Sequence, residues 1–311
     1  MRVVVIGGTG HIGSYLVPML HQQGHQVVVL SRGQRRPYHE DPAWDEVEQV
    51  TCDRTAEESA GTFGSRIAGL GEVVMDLTCF TTDSAEHLVE ALGPEQHLIH
   101  TGSIWAYGRS LVVPTTEDSP KAPYGQYGIA KARIEDYLLR DQQRVRATVL
   151  HPGHISGPGW VPINPAGNGD PAVFADLVSR GRAVLPDRGM EMVQHVHAAD
   201  VAAIHVAAMT EVEAAAGQAF NIVAEQSLTL RGYAELVARE YGHEPDLELV
   251  PWPDFVARVG DRQAEAAADH IGRSPHHSMA KAAALLGFGP RHTAWETVRE
   301  AIAWLVTENR L

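Results

Sequence analysis

Short apolar runs alternate with helix-like stretches through the first half of the chain. Val3–Ile6, Val27–Leu30, Val47–Val50, Val73–Leu77, His97–His100 and Arg146–Leu150 read as six buried strands. Runs of this length, rich in β-branched residues and separated by helical segments, are what a parallel sheet covered on both faces requires. Strand and helix in alternation imply right-handed crossovers, so the expected class is α/β, a doubly wound parallel sheet. The pattern changes after Leu150, where residues 151–171 carry His-Pro-Gly, Gly-Pro-Gly and Asn-Pro elements, the chemistry of loops. Asp200 is placed to cap a helix with Val201, Ile204 and Ala208 on its apolar face. Ala219–Val223 reads as a late strand, and Thr229 caps a helix carrying Tyr233, Leu236 and Val237. Thr293 and Glu296 form a capping box ahead of a stripe of Val298, Ile302 and Leu305. The expected organisation is a large domain over residues 1–155, to which segments near 195–225 return, and a smaller, discontinuous region over 156–311 that binds substrate. Pro18 conflicts with this pattern, because an interior proline costs a helix ~3 kcal/mol; it predicts a kink or a shortened first helix.

Composition narrows the function. The 311 residues carry 25 Lys+Arg against 39 Asp+Glu, a formal charge of −14. That balance repels nucleic acid and anionic membranes, and the only local basic run is Arg32–Arg36. Two cysteines, Cys52 and Cys79, build neither a disulfide framework nor a Cys/His metal set. No apolar run reaches membrane-spanning length. The chain opens on a strand and a turn rather than a targeting segment, and the expected setting is cytoplasmic.

The turn after the first strand is Gly7-Gly8-Thr9-Gly10-His11-Ile12-Gly13. In a Rossmann-type strand–turn–helix unit, Gly7 permits the tight turn, Gly10 lets backbone approach a pyrophosphate, and Gly13 lets the helix pack close to the sheet. The helix N-terminus then offers free N–H groups and partial positive charge to the phosphates. The end of the second strand selects the dinucleotide. A carboxylate there accepts from the ribose hydroxyl of NAD. This chain has no acid over Val27–Arg36; it has Ser31 and Arg32, with Arg35 and Arg36 close behind. Serine donates to a 2′-phosphate and arginine pairs with it, so NADP is the expected cofactor, with NAD the alternative. Asp53, after the third strand, belongs either against the adenine or in an exposed turn.

Tyr127 and Lys131 stand at i and i+4, on one face of a helix that Ile134 and Leu138 continue. A free phenol titrates near ~10, and a neighbouring ammonium is expected to pull that value toward neutrality. The tyrosine would then exchange a proton with a substrate hydroxyl. Ser103 follows the strand His97–His100 and places a third polar group at a strand C-terminus. With these residues in hand, the chain resembles an extended short-chain dehydrogenase/reductase of the NAD(P)-dependent epimerase/dehydratase group. The likeness rests on the glycine turn, the segment from Ser103 to Tyr107-Gly108, Tyr127 with Lys131, and His151-Pro-Gly with Ser156-Gly-Pro. It extends through Val196-His197-Ala-Ala-Asp200 to the closing Leu285-Leu-Gly-Phe and Trp304-Leu. The resemblance implies that Tyr127 is the acid/base, that Lys131 lowers its pKa and binds the nicotinamide ribose, and that Ser103 bonds the reacting oxygen. It places Pro152 and Ile155 in the nicotinamide pocket. Leu77, Thr78 and Thr101 at strand ends, with Thr9, His11 and Ile12 in the turn, complete the expected cofactor set. A homodimer through the Tyr127 helix and its neighbour is also implied.

The chain departs from nucleotide-sugar enzymes of that group. Where dehydratases resemble one another in an Asp-Glu pair after the catalytic hydroxyl, this chain has Ile104 and Trp105. Where epimerases carry an arginine for the substrate diphosphate, it has Val193-Gln194-His195, and the usual Asn-Val-Tyr-Gly-Pro reads His154-Ile155-Ser156-Gly157-Pro158. A small hydroxylated or ketonic substrate without a diphosphate is therefore expected. Trp105, His154, Trp160 and His195 are its candidate contacts. His195 and His197 share a strand face, yet nothing completes a metal set; no metal is expected. Three functions remain open: an NADP-dependent oxidoreductase with net turnover, an epimerase that re-reduces a transient ketone on a retained cofactor, and a non-catalytic dinucleotide sensor.

Overall fold

A computed structural model describes residues 1–140, 142 and 144–311. Seven parallel strands form the central sheet: β1 (Arg2–Ile6), β2 (Gln26–Ser31), β3 (Glu48–Thr51), β4 (Val73–Asp76), β5 (His97–Thr101), β6 (Arg146–Pro152) and β7 (Ala219–Ile222). Their spatial order is β7-β6-β5-β4-β1-β2-β3. The order reverses between β1 and β4, which opens a crevice at the strand C-termini. Five of the six expected early strands are buried as anticipated. The third is not: β3 is an edge strand, and Glu48, Gln49 and Thr51 face water.

Helices cover both faces because the inner strands are apolar on both sides. On one face His11–Gln22 and Ala198–Thr210 pack Leu16, Val17, Val201 and Ile204 against Val3, Val5 and Val29. On the other, Thr82–Ala91 and Gly125–Arg140 pack Leu88, Ile134 and Leu138 against Val4, Val74 and Leu98. The first helix runs straight through Pro18 to Gln22 rather than ending there. Its anchorage is tertiary: Leu16, Val17 and Leu20 around the proline are fully buried, and that packing outweighs the local cost.

The C-terminal region has its own core. Asp170 caps Pro171–Arg180 and Gly181 ends it in the left-handed region at φ +70°. Phe174 and Leu177 meet Tyr233 and Val237 of Leu230–Glu240 and Val298, Ile302 and Leu305 of Ala294–Thr307. Thr229 and the Thr293–Glu296 box cap their helices as expected. Two expectations fail. Leu236 is 37% exposed, because the buried stripe uses Ala234 and Ala238 instead. Asp200 is not the cap of its helix: His197 holds that position and accepts from the Ala199 N–H. Asp200 sits one turn in, where its carboxylate accepts from the N–H groups of Arg291 and His292 and so ties the late loop to the first domain. Ala198–Thr210 and β7 do return to the sheet, and so does a later segment, since Met279, Ala282 and Leu286 join the same core.

Candidate active site

A cleft of about 710 Å³ runs along the C-terminal ends of β1, β4, β5 and β6. At one end lies the glycine turn. Gly7 has φ +81°, a conformation in which only glycine is at ease, and its N–H donates to the Leu30 carbonyl at 2.8 Å. A Cβ at Gly13 would lie 2.0 Å from the Gly8 carbonyl oxygen. No side chain caps the following helix at Gly10, so its first-turn N–H groups are left for an anion in the cleft. Gly7, Gly10, His11, Ile12 and Gly13 all line the cleft; Thr9 does not. The turn therefore fits a dinucleotide pyrophosphate.

The ribose end departs from the expected residues. Arg35 lines the cleft, whereas Ser31 and Arg32 do not. The Ser31 hydroxyl instead accepts from the Gly33 N–H at 3.3 Å, folding the chain back, and Arg32 is exposed. Asp53 is the cap of Arg54–Ser59, accepting from the Ala56 N–H, and lies off the cleft. Among the described residues no Asp or Glu lines the cleft.

Beyond the turn, Leu77, Thr78, Thr101, Ser103, Tyr127, Lys131, Pro152 and Ile155 all face the same space. Ser103 is buried and its hydroxyl accepts from the Trp105 N–H at 3.2 Å. Lys131 is buried and donates to the carbonyls of Cys79 at 2.8 Å and Thr101 at 2.7 Å. Its ammonium lies 5.7 Å from the centroid of the Tyr127 ring. Burial pulls Lys131 down to about 8. The expected drop in the Tyr127 pKa is overturned. Burial of its hydroxyl raises it, and the bond with Ser103 opposes this.

Glu135, one turn beyond Lys131, carries a network the sequence did not reveal. Its carboxylate pairs with Lys121 and lies 3.0 Å from Nε2 of buried His151. Burial pushes the carboxyl up, but His151 and Lys121 outweigh it and hold Glu135 at about 2. The other nitrogen of His151, Nδ1, accepts from the Ser103 N–H at 3.0 Å. The segment that presents the Ser103 hydroxyl is thus anchored from beneath.

At the far end Trp105, His154 and Trp160 line the cleft as expected, joined by Val161, Ile163 and His270. His195 does not reach it: the residue is fully buried and its Nδ1 lies 2.8 Å from the Ser156 hydroxyl. Helix periodicity gives no hint of His270, which lies in the last turn of Asp261–Ile271 and faces the cleft. Among the described residues two groups gather three metal-type ligand atoms within 4.8 Å. In one, Arg54 holds both oxygens of Asp76 at 2.9 Å beside Cys79 and His100. In the other, the rings of His197 and His292 stack at 4.0 Å and 17° near Glu300, so their in-plane lone pairs run side by side and do not converge. Neither arrangement is set to receive an ion.

The sequence model of the NAD dependent epimerase/dehydratase family matches residues 3–223. The chain belongs to this family. Chloroplast stem-loop binding protein of 41 kDa b of Arabidopsis thaliana is 25% identical over 271 residues, covering 85% of this chain and 69% of that protein. The UDP-glucose 4-epimerase of Corynebacterium glutamicum is 27% identical over 335 residues, covering 99% and 96%. The fold is shared with the solved UDP-glucose 4-epimerase of Thermotoga maritima, at TM-score 0.75 and 21% identity over 99% of this chain and 100% of that one. Relatives of this epimerase/dehydratase family member include both epimerases and dehydrogenases or reductases. It is accordingly an enzyme of the extended short-chain dehydrogenase/reductase type, built on a Rossmann-like sheet and a nicotinamide dinucleotide. No helix of the described residues is long and apolar enough to cross a membrane.

Proposed function

We propose that the chain is an NADP-dependent oxidoreductase that transfers hydride at a secondary alcohol or ketone of a small metabolite, with net turnover. The observation that carries the reading is the convergence of Ser103, Tyr127 and Lys131 on the glycine-turn cleft. The preference for NADP is supported by Arg35 on the cleft wall and by the absence of any lining carboxylate to accept from a ribose 2′-hydroxyl. Bound NADP supplies the hydride acceptor or donor. In reduction, the Tyr127 hydroxyl gives its proton to the substrate oxygen. Ser103 donates its one O–H to that same oxygen. Lys131 adds positive charge beneath both, and a group held at about 8 exchanges protons readily at neutral pH.

A second reading, an epimerase that retains its cofactor, is supported by the cover over the turn. The His11 ring stacks on Trp160 at 5.7 Å and 15°, and its Nε2 lies 3.1 Å from the Pro158 carbonyl. That cover favours slow cofactor exchange. A sensor that binds nucleic acid, as the name of the Arabidopsis relative suggests, is opposed by the charge of −14. A homodimer through Thr82–Ala91 and Gly125–Arg140 would meet on a charged face that includes Glu86, Glu90, Arg133, Asp136 and Arg140. It would therefore be salt-sensitive in sedimentation. We place the chain in the cytoplasm. The deciding experiment follows nicotinamide absorbance with NADPH, NADH and a carbonyl panel. Stoichiometric NADPH loss supports the oxidoreductase. Product formation with no absorbance change, on cofactor that survives desalting, overturns it in favour of the epimerase.

A further inference from the structure

Among the described residues the far end of the cleft carries no charged side chain beyond Lys131. Its walls are Trp105, Trp160, Val161 and Ile163, with His154 and His270 as polar side chains. Arg273, behind the wall, is withheld. It is 2% exposed, its guanidinium lies 3.7 Å from the Trp105 centroid and 3.9 Å from that of Tyr124, and its nitrogens donate to the carbonyls of Asp269 and Tyr124. Arg273 braces the Trp105 wall from behind and does not line the cleft. A diphosphate or carboxylate entering here would lose water and gain no counter-charge, which is costly in apolar surroundings.

The two histidines form a polarised pair. His154 Nε2 and His270 Nδ1 are 3.0 Å apart. One proton lies along that contact, so His154 fixes the orientation of the His270 ring, and His270 Nε2 is the nitrogen left for a ligand. Burial lowers both rings, His270 to about 4 and His154 well below the usual range, so this uncharged arrangement holds at neutral pH.

We propose that this end of the cleft selects an uncharged carbonyl compound with an apolar body and a hydroxyl that hydrogen-bonds His270 Nε2, with His154 fixing the ring. The proposal rests on the oxidoreductase reading and names its substrate class. It departs from the nucleotide sugars named for relatives of the chain.

The test first establishes NADPH binding by fluorescence, which reads the cofactor assignment alone. Calorimetry of the NADP-loaded protein with UDP-glucose is expected to give a Kd weaker than ~1 mM; tighter binding overturns the proposal while leaving NADPH binding intact. In NADPH turnover, 4-hydroxycyclohexanone is expected to exceed 4-oxocyclohexanecarboxylate in kcat/KM by at least about tenfold, and equal or reversed preference overturns the proposal. For the neutral ketone, His270→Phe is expected to raise KM about tenfold with kcat within about twofold, the loss of one hydrogen bond. His270→Gln, which retains an N–H, recovers part of it. An unchanged KM in His270→Phe with NADPH binding intact removes the hydrogen-bonding role.

Discussion

Acidification is the perturbation to which this chain should respond most steeply. Burial lowers His11, His97, His197, His205 and His270 to about 4 and His195 and His277 to about 3. The ordinary value is 6.5, so the unfolded chain binds more protons than the folded one as pH falls below that, and stability drops. A histidine held at about 4 costs on the order of 1 kcal/mol of stability at pH 6 and about 2 kcal/mol at pH 5 relative to pH 8. Seven together would remove about 6 kcal/mol at pH 6 and about 14 kcal/mol at pH 5, against a typical domain stability of ~5–15 kcal/mol. The cofactor-free protein is therefore expected to unfold between about pH 6 and pH 5. One residue isolates the cause. His205 is fully buried; its Nδ1 bonds the Val201 carbonyl at 2.7 Å and its Nε2 the Thr101 hydroxyl at 2.9 Å, so protonation must place a charge in a site with no counter-ion and reverse the second bond. Urea denaturation across this range should show the dependence of stability on pH reduced by about one proton in His205→Gln. A flat wild-type profile between pH 8 and pH 5.5, or an unchanged slope in the variant, would refute the reasoning.

Other outcomes follow from the site. Tyr127→Phe should lower carbonyl reduction by at least about 100-fold while NADPH fluorescence titration stays within twofold, because the proton donor is lost and the pocket is not. Arg35→Ala should weaken NADPH about tenfold and leave NADH unchanged in the same titration, the signature of one lost charge-assisted contact. Trp160→Ala removes the His11 stack and should speed NADPH release about three- to tenfold in stopped flow. Glu135→Gln should cost about 1–3 kcal/mol in urea at pH 7, since Lys121 is partly solvated and screened. It should also lower kcat more than it raises KM, because the His151 anchor of Ser103 loosens; unchanged kcat would separate that pair from catalysis.

The sheet and the placing of Tyr127 and Lys131 on one helix face were legible because local rules dictate them. A buried parallel strand must be apolar on both faces, a glycine turn has fixed spacing, and an i, i+4 pair shares a helix face wherever the helix sits. The third strand misled because hydrophobicity does not say which strand is the edge; Val47 and Val50 resemble an inner strand, yet β3 has one neighbour. The residues at the end of β2 misled for a related reason. Ser31 bonding to the Gly33 N–H turns the chain, and Arg35 rather than Arg32 comes back over the cleft. Asp53 and His197 both turned out to be helix caps, a local role that a polar residue before a helix fills as readily as a ligand contact.

The far end of the cleft was the least legible because its chemistry is made by pairs remote in sequence. His154 is informative only beside His270, and Ser103 is held only because His151 bridges it to Glu135. His151 links Ser103 to Glu135 through both of its nitrogens, and His154 holds the His270 ring through one. The pair His154 and His270, kept uncharged by burial, gives the far end of the cleft no fixed cation of its own, and Arg273 behind it is held between two aromatic rings. Selectivity there therefore depends on one hydrogen bond to His270 rather than on the sign of a charge, which is why composition and motif spacing could point to the reaction and leave the substrate open.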